Sequence, residues 1–166
     1  FTRLNSDRIY MSGKPSNTAL GSISAWVKTP TNAAIYQNVF GYGSQVASGS
    51  ALMRFHIVGD GTHLYIYFDT RGTSYYCVQS TSIMHPNEWN LVTVTSSGTA
   101  WKLYINGTDV TTTTCGTNTG DWFADLGQSG TTYTSIGSWY YNGVWTAAQY
   151  FNGTIDEVNL YNDTLS

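Results

Sequence analysis

Hydrophobic and polar residues alternate along this chain with a period of two, in short bursts that mark β-strands. Ser22–Lys28 is the clearest, with Ile23, Ala25 and Val27 on one side and Ser24, Trp26 and Lys28 on the other. Comparable runs predict strands at Arg8–Met11, Val39–Tyr42, Ala51–Val58, His63–Asp69, Thr73–Ser80, Glu88–Ser96, Ala100–Ile105, Asp109–Thr114 and Thr132–Gly137. Turn signals separate them: Asn5-Ser6-Asp7, Gly59-Asp60-Gly61-Thr62, Ser97-Gly98 and Asn106-Gly107, the last a two-residue hairpin turn. Pro30–Ala33 breaks the chain, a Gly-Tyr-Gly-Ser loop follows Val39, and long polar loops span Gly116–Gly130 and Ser138–Gln149. No segment shows helical periodicity. Many short strands with regular turns predict one all-β domain over residues 1–166, an antiparallel sandwich or barrel.

The last strand, within Tyr150–Ser166, breaks its own alternation. Phe151, Gly153 and Ile155 share one face, but the next inward positions are Val158 and Leu160, a step of three. A β-bulge absorbs such a step by inserting one unpaired residue. The slip falls on Asp156-Glu157. Neighbours along a strand point to opposite faces, so Glu157 is expected away from Asp156, in solvent. A carboxylate in a segment built for burial needs solvent, a hydrogen-bonding loop or a cation.

Composition narrows the function classes. Charged residues are 10% of the 166, well under the roughly 25% of ordinary soluble domains. Polarity comes from Thr, Ser, Asn and Gly, while aromatics reach 15%. That surface suits neutral polar ligands such as sugars. The net charge of −3 and the lack of a basic stripe argue against nucleic acid. No apolar run is long enough to insert in a membrane. The chain starts at Phe1 without a Met, which points to a processed product or a domain of a larger protein. Cys77 and Cys115 fit no zinc spacing. They read as one disulfide or two free thiols, with the low charge favouring the disulfide.

Three segments stand in a telling order: Gly21-Ser22-Ile23-Ser24-Ala25-Trp26-Val27-Lys28; Asn87-Glu88-Trp89-Asn90-Leu91-Val92-Thr93-Val94-Thr95 with Trp101-Lys102-Leu103-Tyr104-Ile105-Asn106-Gly107; and Phe151-Asn152-Gly153-Thr154-Ile155-Asp156-Glu157-Val158 through to Leu165-Ser166. Together they resemble the laminin-G-like (LamG) branch of the concanavalin A-like lectin/glucanase superfamily, over almost the whole chain. The resemblance implies a two-sheet antiparallel β-sandwich, the concanavalin A-like jelly roll, with ligands held by rim loops or on a concave sheet. It also implies a structural Ca²⁺ at Asp156, with Asp7 as the nearest expected partner. Calcium takes six to eight hard oxygens.

Hydrolysis of a glycan with retention needs two carboxyls about 5 Å apart on one face. No acids here pair at i, i+2, and the three histidines fit neither a nucleophile elbow nor a metal site, so no enzyme is expected. An aromatic ring offers a flat apolar face to a sugar ring, and amides and carboxylates grip its hydroxyls. Trp139, Tyr140, Tyr141 and Trp145 crowd one loop with Asn142; Trp122 stands beside Asp121 in another; Tyr42 lies in the Gly-rich loop. These are the candidate carbohydrate-binding residues, and the competing expectation is that the rings anchor the loop beneath itself. Trp26, Trp89 and Trp101 are expected mostly in the core. The reading is a non-catalytic lectin-like module at an extracellular, cell or virion surface, with a glycan or glycosylated surface as partner. The alternative is a structural or adhesive domain of a virion, phage or large surface protein, acting through other domains or subunits.

Overall fold

A computed structural model describes residues 7–30, 36–45, 52–72, 74–81, 84–127 and 130–166. The predicted Asn5-Ser6 turn, most of the break after Pro30, and two predicted strand starts, Ala51 and Thr73, lie outside the described residues. In chain order the strands are β1 (Ile9–Ser12), β2 (Gly21–Lys28), β3 (Tyr36–Ser44), β4 (Leu52–Gly59), β5 (Leu64–Arg71), β6 (Tyr75–Ser80), β7 (Asn90–Ser96), β8 (Trp101–Ile105), β9 (Thr108–Asp109), β10 (Thr111–Cys115), β11 (Thr132–Ile136), β12 (Tyr140–Tyr141), β13 (Val144–Trp145) and β14 (Thr154–Tyr161). Single 3₁₀ turns occur at Phe123–Asp125 and Ala147–Gln149. A seven-stranded sheet runs β1-β11-β3-β4-β5-β6-β10 and a five-stranded one β14-β2-β7-β8-β9. All their pairings are antiparallel. The result is an open two-sheet sandwich.

Alternation explains the core. In β5, Leu64, Ile66 and Phe68 point inward and are fully buried, as are Met53, Phe55 and Ile57 of β4. They meet Ile23, Ala25 and Val27 of β2, Val92 and Val94 of β7, and Leu103 of β8. Each large side chain so buried stabilises the fold by about 1.5–3 kcal/mol. The loop before β11 plugs one end of this core. Trp122 stacks on Phe68 at 5.7 Å, Trp101 packs edge-on to Phe68 at 5.3 Å, and Phe123 meets Tyr42 at 6.2 Å. Gly21 makes room, since a Cβ there would lie 2.5 Å from Trp122 Nε1. Trp122 and Tyr42 are therefore core residues, and the expectation that they face a ligand is corrected.

β3 is longer than predicted because its glycines are strand residues and not a loop. Between them Tyr42 enters the core and donates to the Gly127 carbonyl at 3.3 Å. On the outer face a Cβ at Gly41 would come within 3.1 Å of Ser138 O, and one at Gly43 within 1.9 Å of Tyr140 O. A small hairpin, β12 paired with β13, lies down on that bare backbone. Its turn is Asn142-Gly143, with φ of 52° and 79°, the left-handed pair a two-residue hairpin favours. Cys77 and Cys115 are disulfide-bonded across β6 and β10, with Cα atoms 5.1 Å apart and a separation of 38 positions in sequence. A loop of that size is worth about 3–4 kcal/mol on the chain-entropy model.

β14 is bulged where its sequence slips: its register with β2 shifts between Asp156 and Asn159. Glu157 adopts φ 47°, and this left-handed residue turns its side chain to the same side as Asp156. The two acids line one depression with Trp26 and Trp89. Strict alternation had placed them on opposite faces, and the bulge overrides it. Trp101 is in the core, but Trp26 is half-buried on the outer face of β2 and Trp89 is 43% exposed.

The glycine floor gives a direct prediction. Gly43→Ala is expected to destabilise the domain by at least about 2 kcal/mol in urea unfolding, because the hairpin must lift off β3. Gly72→Ala, with open space around its Cβ, is expected to stay within about 0.5 kcal/mol.

Candidate binding face of the seven-stranded sheet

The outward residues of β3, β4, β5 and β6 form rows across the sheet. Arg54 pairs with Asp69 and Asp69 with Cys77; His56 pairs with Tyr67 and Tyr67 with Gln79. Arg54 grips Asp69 with two contacts, Nε to Oδ1 at 3.0 Å and Nη2 to Oδ2 at 2.8 Å. Its Nη1 donates to Gln149 Oε1 at 3.3 Å, which also accepts from Asn38 Nδ2 at 3.0 Å. The Trp139 ring covers the guanidinium with its centroid 4.5 Å away, and Tyr141 stacks on Trp139 at 4.9 Å, 11° from parallel. His56 is buried, stacked on Tyr67 at 5.5 Å and tilted against Tyr36 at 5.8 Å.

Electrostatics follow from this packing. Burial pushes the Asp69 carboxyl up, and the Arg54 guanidinium opposes it. Arg54 is held above its ordinary value: burial works against the charge, and the Asp69 carboxylate outweighs it. We take the pair as ionised, since a guanidinium with two short contacts to one carboxylate keeps its proton. Burial, and then the nearby Arg54 charge, hold His56 well below the usual imidazole range, so His56 is neutral. Burial also raises the Tyr67 and Tyr75 phenols.

The hairpin residues are distributed unevenly. Trp139 is 6% exposed and Tyr140 is also buried, so these two are anchors, because the glycine floor lets the hairpin settle to full contact. Trp145 is half-buried among Tyr10, Tyr133 and Tyr140, with the Arg8 guanidinium 4.6 Å from its ring and Arg8 Nη1 donating to Tyr150 Oη at 3.0 Å. Tyr141 is half-buried and Asn142 exposed at the hairpin tip. Asp121 sits apart, its carbonyl accepting from Trp101 Nε1 at 2.9 Å. The exposed rings on this face come from strands: Tyr36 is 50% and Tyr75 43% exposed, Tyr65 and Tyr67 are half-buried, and Arg71 is exposed with its guanidinium 6.0 Å from the Tyr75 ring. Sequence reasoning missed all of these. The available signal was β5, Leu-Tyr-Ile-Tyr-Phe-Asp-Thr-Arg, in which one parity reads Leu-Ile-Phe-Thr and the other Tyr-Tyr-Asp-Arg.

No three of His, Cys, Asp and Glu come together among the described residues. Asp156 Oδ1 accepts the Glu157 N–H at 2.8 Å, and the Glu157 carbonyl accepts from Asn159 Nδ2 at 2.8 Å.

The family model for Laminin_G_3, described as concanavalin A-like lectin/glucanases superfamily, matches residues 5–166. The chain belongs to this superfamily. No curated protein sequence matches it. Solved structures share the fold at low identity. The CBM40 of the Ruminococcus gnavus IT-sialidase, bound to α2,3 sialyllactose, aligns at 18% identity and TM-score 0.72 over 96% of this chain and 91% of that one. The enzymatically active domain of bacteriophage CBA120 tailspike protein 2 aligns at 12% identity and 0.67, over 96% of this chain and 24% of that one. A heptameric SAP-like pentraxin from Limulus polyphemus aligns at 11% identity and 0.60, over 96% and 76%. These chains share the sandwich fold with this one.

His56 predicts a pH dependence. In the unfolded chain its imidazole takes a proton below about 6.5, and in the fold it resists doing so. The unfolded state then binds more protons, so stability falls as pH drops through that range. The urea midpoint is expected to decline from about pH 7 to pH 5, and His56→Phe, which keeps the ring stack on Tyr67, is expected to flatten the decline.

Proposed function

We propose that this domain is a non-catalytic glycan-binding module working outside cells or on a virion surface. Its binding face is the outer side of the seven-stranded sheet. The observation that carries the reading is the set of exposed strand tyrosines, Tyr36 and Tyr75, beside Tyr67 and the exposed Arg71. Phenol rings supply flat apolar area with a polar tip. Gln79 adds an amide beside Tyr67, and the hairpin edge at Tyr141 and Asn142 borders the same face. The buried Arg54–Asp69 pair holds the floor rigid, so little ordering is required on binding.

Arg71 also gives the face a cation, which suits the carboxylate of an acidic sugar. The similar CBM40 structures hold α2,3 and α2,6 sialyllactose, and that ligand class is proposed here on Arg71. On a glycan array the domain is expected to retain sialyllactose better than lactose. Tyr75→Ala is expected to weaken both by about 1–2 kcal/mol, and Arg71→Ala to erase the difference between them. Equal retention from the start would leave the neutral-glycan reading. No retention, with self-association in sedimentation, would favour the assembly reading. That reading draws on Ile9 and Met11, exposed on the edge strand β1 beside an apolar cleft shared with Val158 and Leu160.

A structural calcium at Asp156 and Asp7 is a separate proposal, supported by the superfamily resemblance and by the bulge at Asp156. Melting in excess calcium and in chelator tests it. A rise with calcium that Asp156→Ala abolishes supports the ion, and identical melts remove it.

A further inference from the structure

We propose a second binding site on the opposite side of the molecule, for an organic ammonium group, built from Trp26, Trp89, Asp156 and Glu157. These four side chains line a depression of about 340 Å³ on the outer face of the five-stranded sheet. β2 turns Ala25 and Val27 into the core, which leaves Trp26 facing outward across from Asp156. Trp89 stands just before β7 with 43% of its surface exposed. Among the described residues neither indole packs on another aromatic ring. Trp89 therefore offers exposed ring surface to the depression, with the half-buried Trp26 lining it alongside.

The acids arrive by way of the bulge. Glu157 at φ 47° brings a second carboxylate to the side that Asp156 already occupies. Hydrogen bonds from the Glu157 N–H to Asp156 and from Asn159 to the Glu157 carbonyl, both 2.8 Å, pin this geometry. Among the described residues neither carboxylate makes an ion pair. Lys28, two positions along β2, stands across from Thr154.

Two indole faces and two carboxylates without a cationic partner select a cation that is broad, weakly hydrated and able to touch π-faces. A metal ion would make no use of the rings, and a neutral sugar would make no use of the charges. An alkylated or sugar-borne ammonium uses both. Choline-type headgroups and protonated amino sugars share that chemistry.

The test is a titration of the full chain with chelator present, following the indole N–H resonances of Trp26 and Trp89 by NMR. Choline, glucosamine and neutral N-acetylglucosamine are the probes. Saturable shifts of these two indoles with choline, glucosamine or both, weakened by salt, support the site and identify the source of the ammonium. Glu157→Gln is expected to weaken binding about tenfold, and Trp89→Ala to abolish it, with the remaining indole signals unmoved. No saturable shift with either cation overturns the proposal, as does N-acetylglucosamine binding as well as glucosamine. Glycan binding on the other sheet is unaffected by either result.

Discussion

The closeness of the β12–β13 hairpin to the bare backbone of β3 is the constraint on which the functional half of the molecule rests. Gly41-Tyr42-Gly43 serves two faces at once: the tyrosine fills the core while the glycines leave no side chain outside. Only then can the carbonyls of Ser138 and Tyr140 come down to where Cβ atoms would stand. Their descent carries Trp139 over Arg54 and Gln149 to within reach of both Arg54 and Asn38. Loop aromatics that look like a ligand platform thus become the clamp that holds a buried ion pair.

That pair is not a simple source of stability. Withdrawing Arg54 and Asp69 from water costs several kcal/mol per ion before their attraction is counted. What the pair supplies is position, because its fork geometry tolerates one arrangement of β4 against β5 and one seat for the Trp139 ring. His56 is kept neutral beside it and shares the Tyr36 and Tyr67 rings. The outer face is thereby made stiff under its tyrosines, and the same burial makes it sensitive to acid.

Much of the architecture was legible in the chain. The alternation of Ile23, Ala25 and Val27, the Asn106-Gly107 turn and the three-residue step from Ile155 to Val158 each named its structure correctly. The site was less legible, for a physical reason. Alternation says which residues share a face, but where both parities are apolar or aromatic it does not say which one meets the core. So Trp26 and Trp89 were expected inside and face out, while Trp122 and Tyr42 were expected at a rim and are buried. Tyr36, Tyr67 and Tyr75 lie on strands, where an aromatic residue fits either face and the sequence does not mark it as exposed. The glycines of β3 read locally as a loop, because the hairpin they accommodate lies about a hundred residues later in the chain.

The bulge in β14 shows how a local irregularity can change what a surface is able to do. A regular strand would send Asp156 and Glu157 to opposite faces and bury one charge against Val27 and its neighbours, an arrangement the core would reject. Adding one residue in a left-handed conformation costs of order 1 kcal/mol or more for a non-glycine. It keeps Ile155, Val158 and Leu160 facing the core, and it places both carboxylates on the indole side. The apolar period is thus preserved on the inside only because it is broken on the outside, and the break is where two charges and two rings converge.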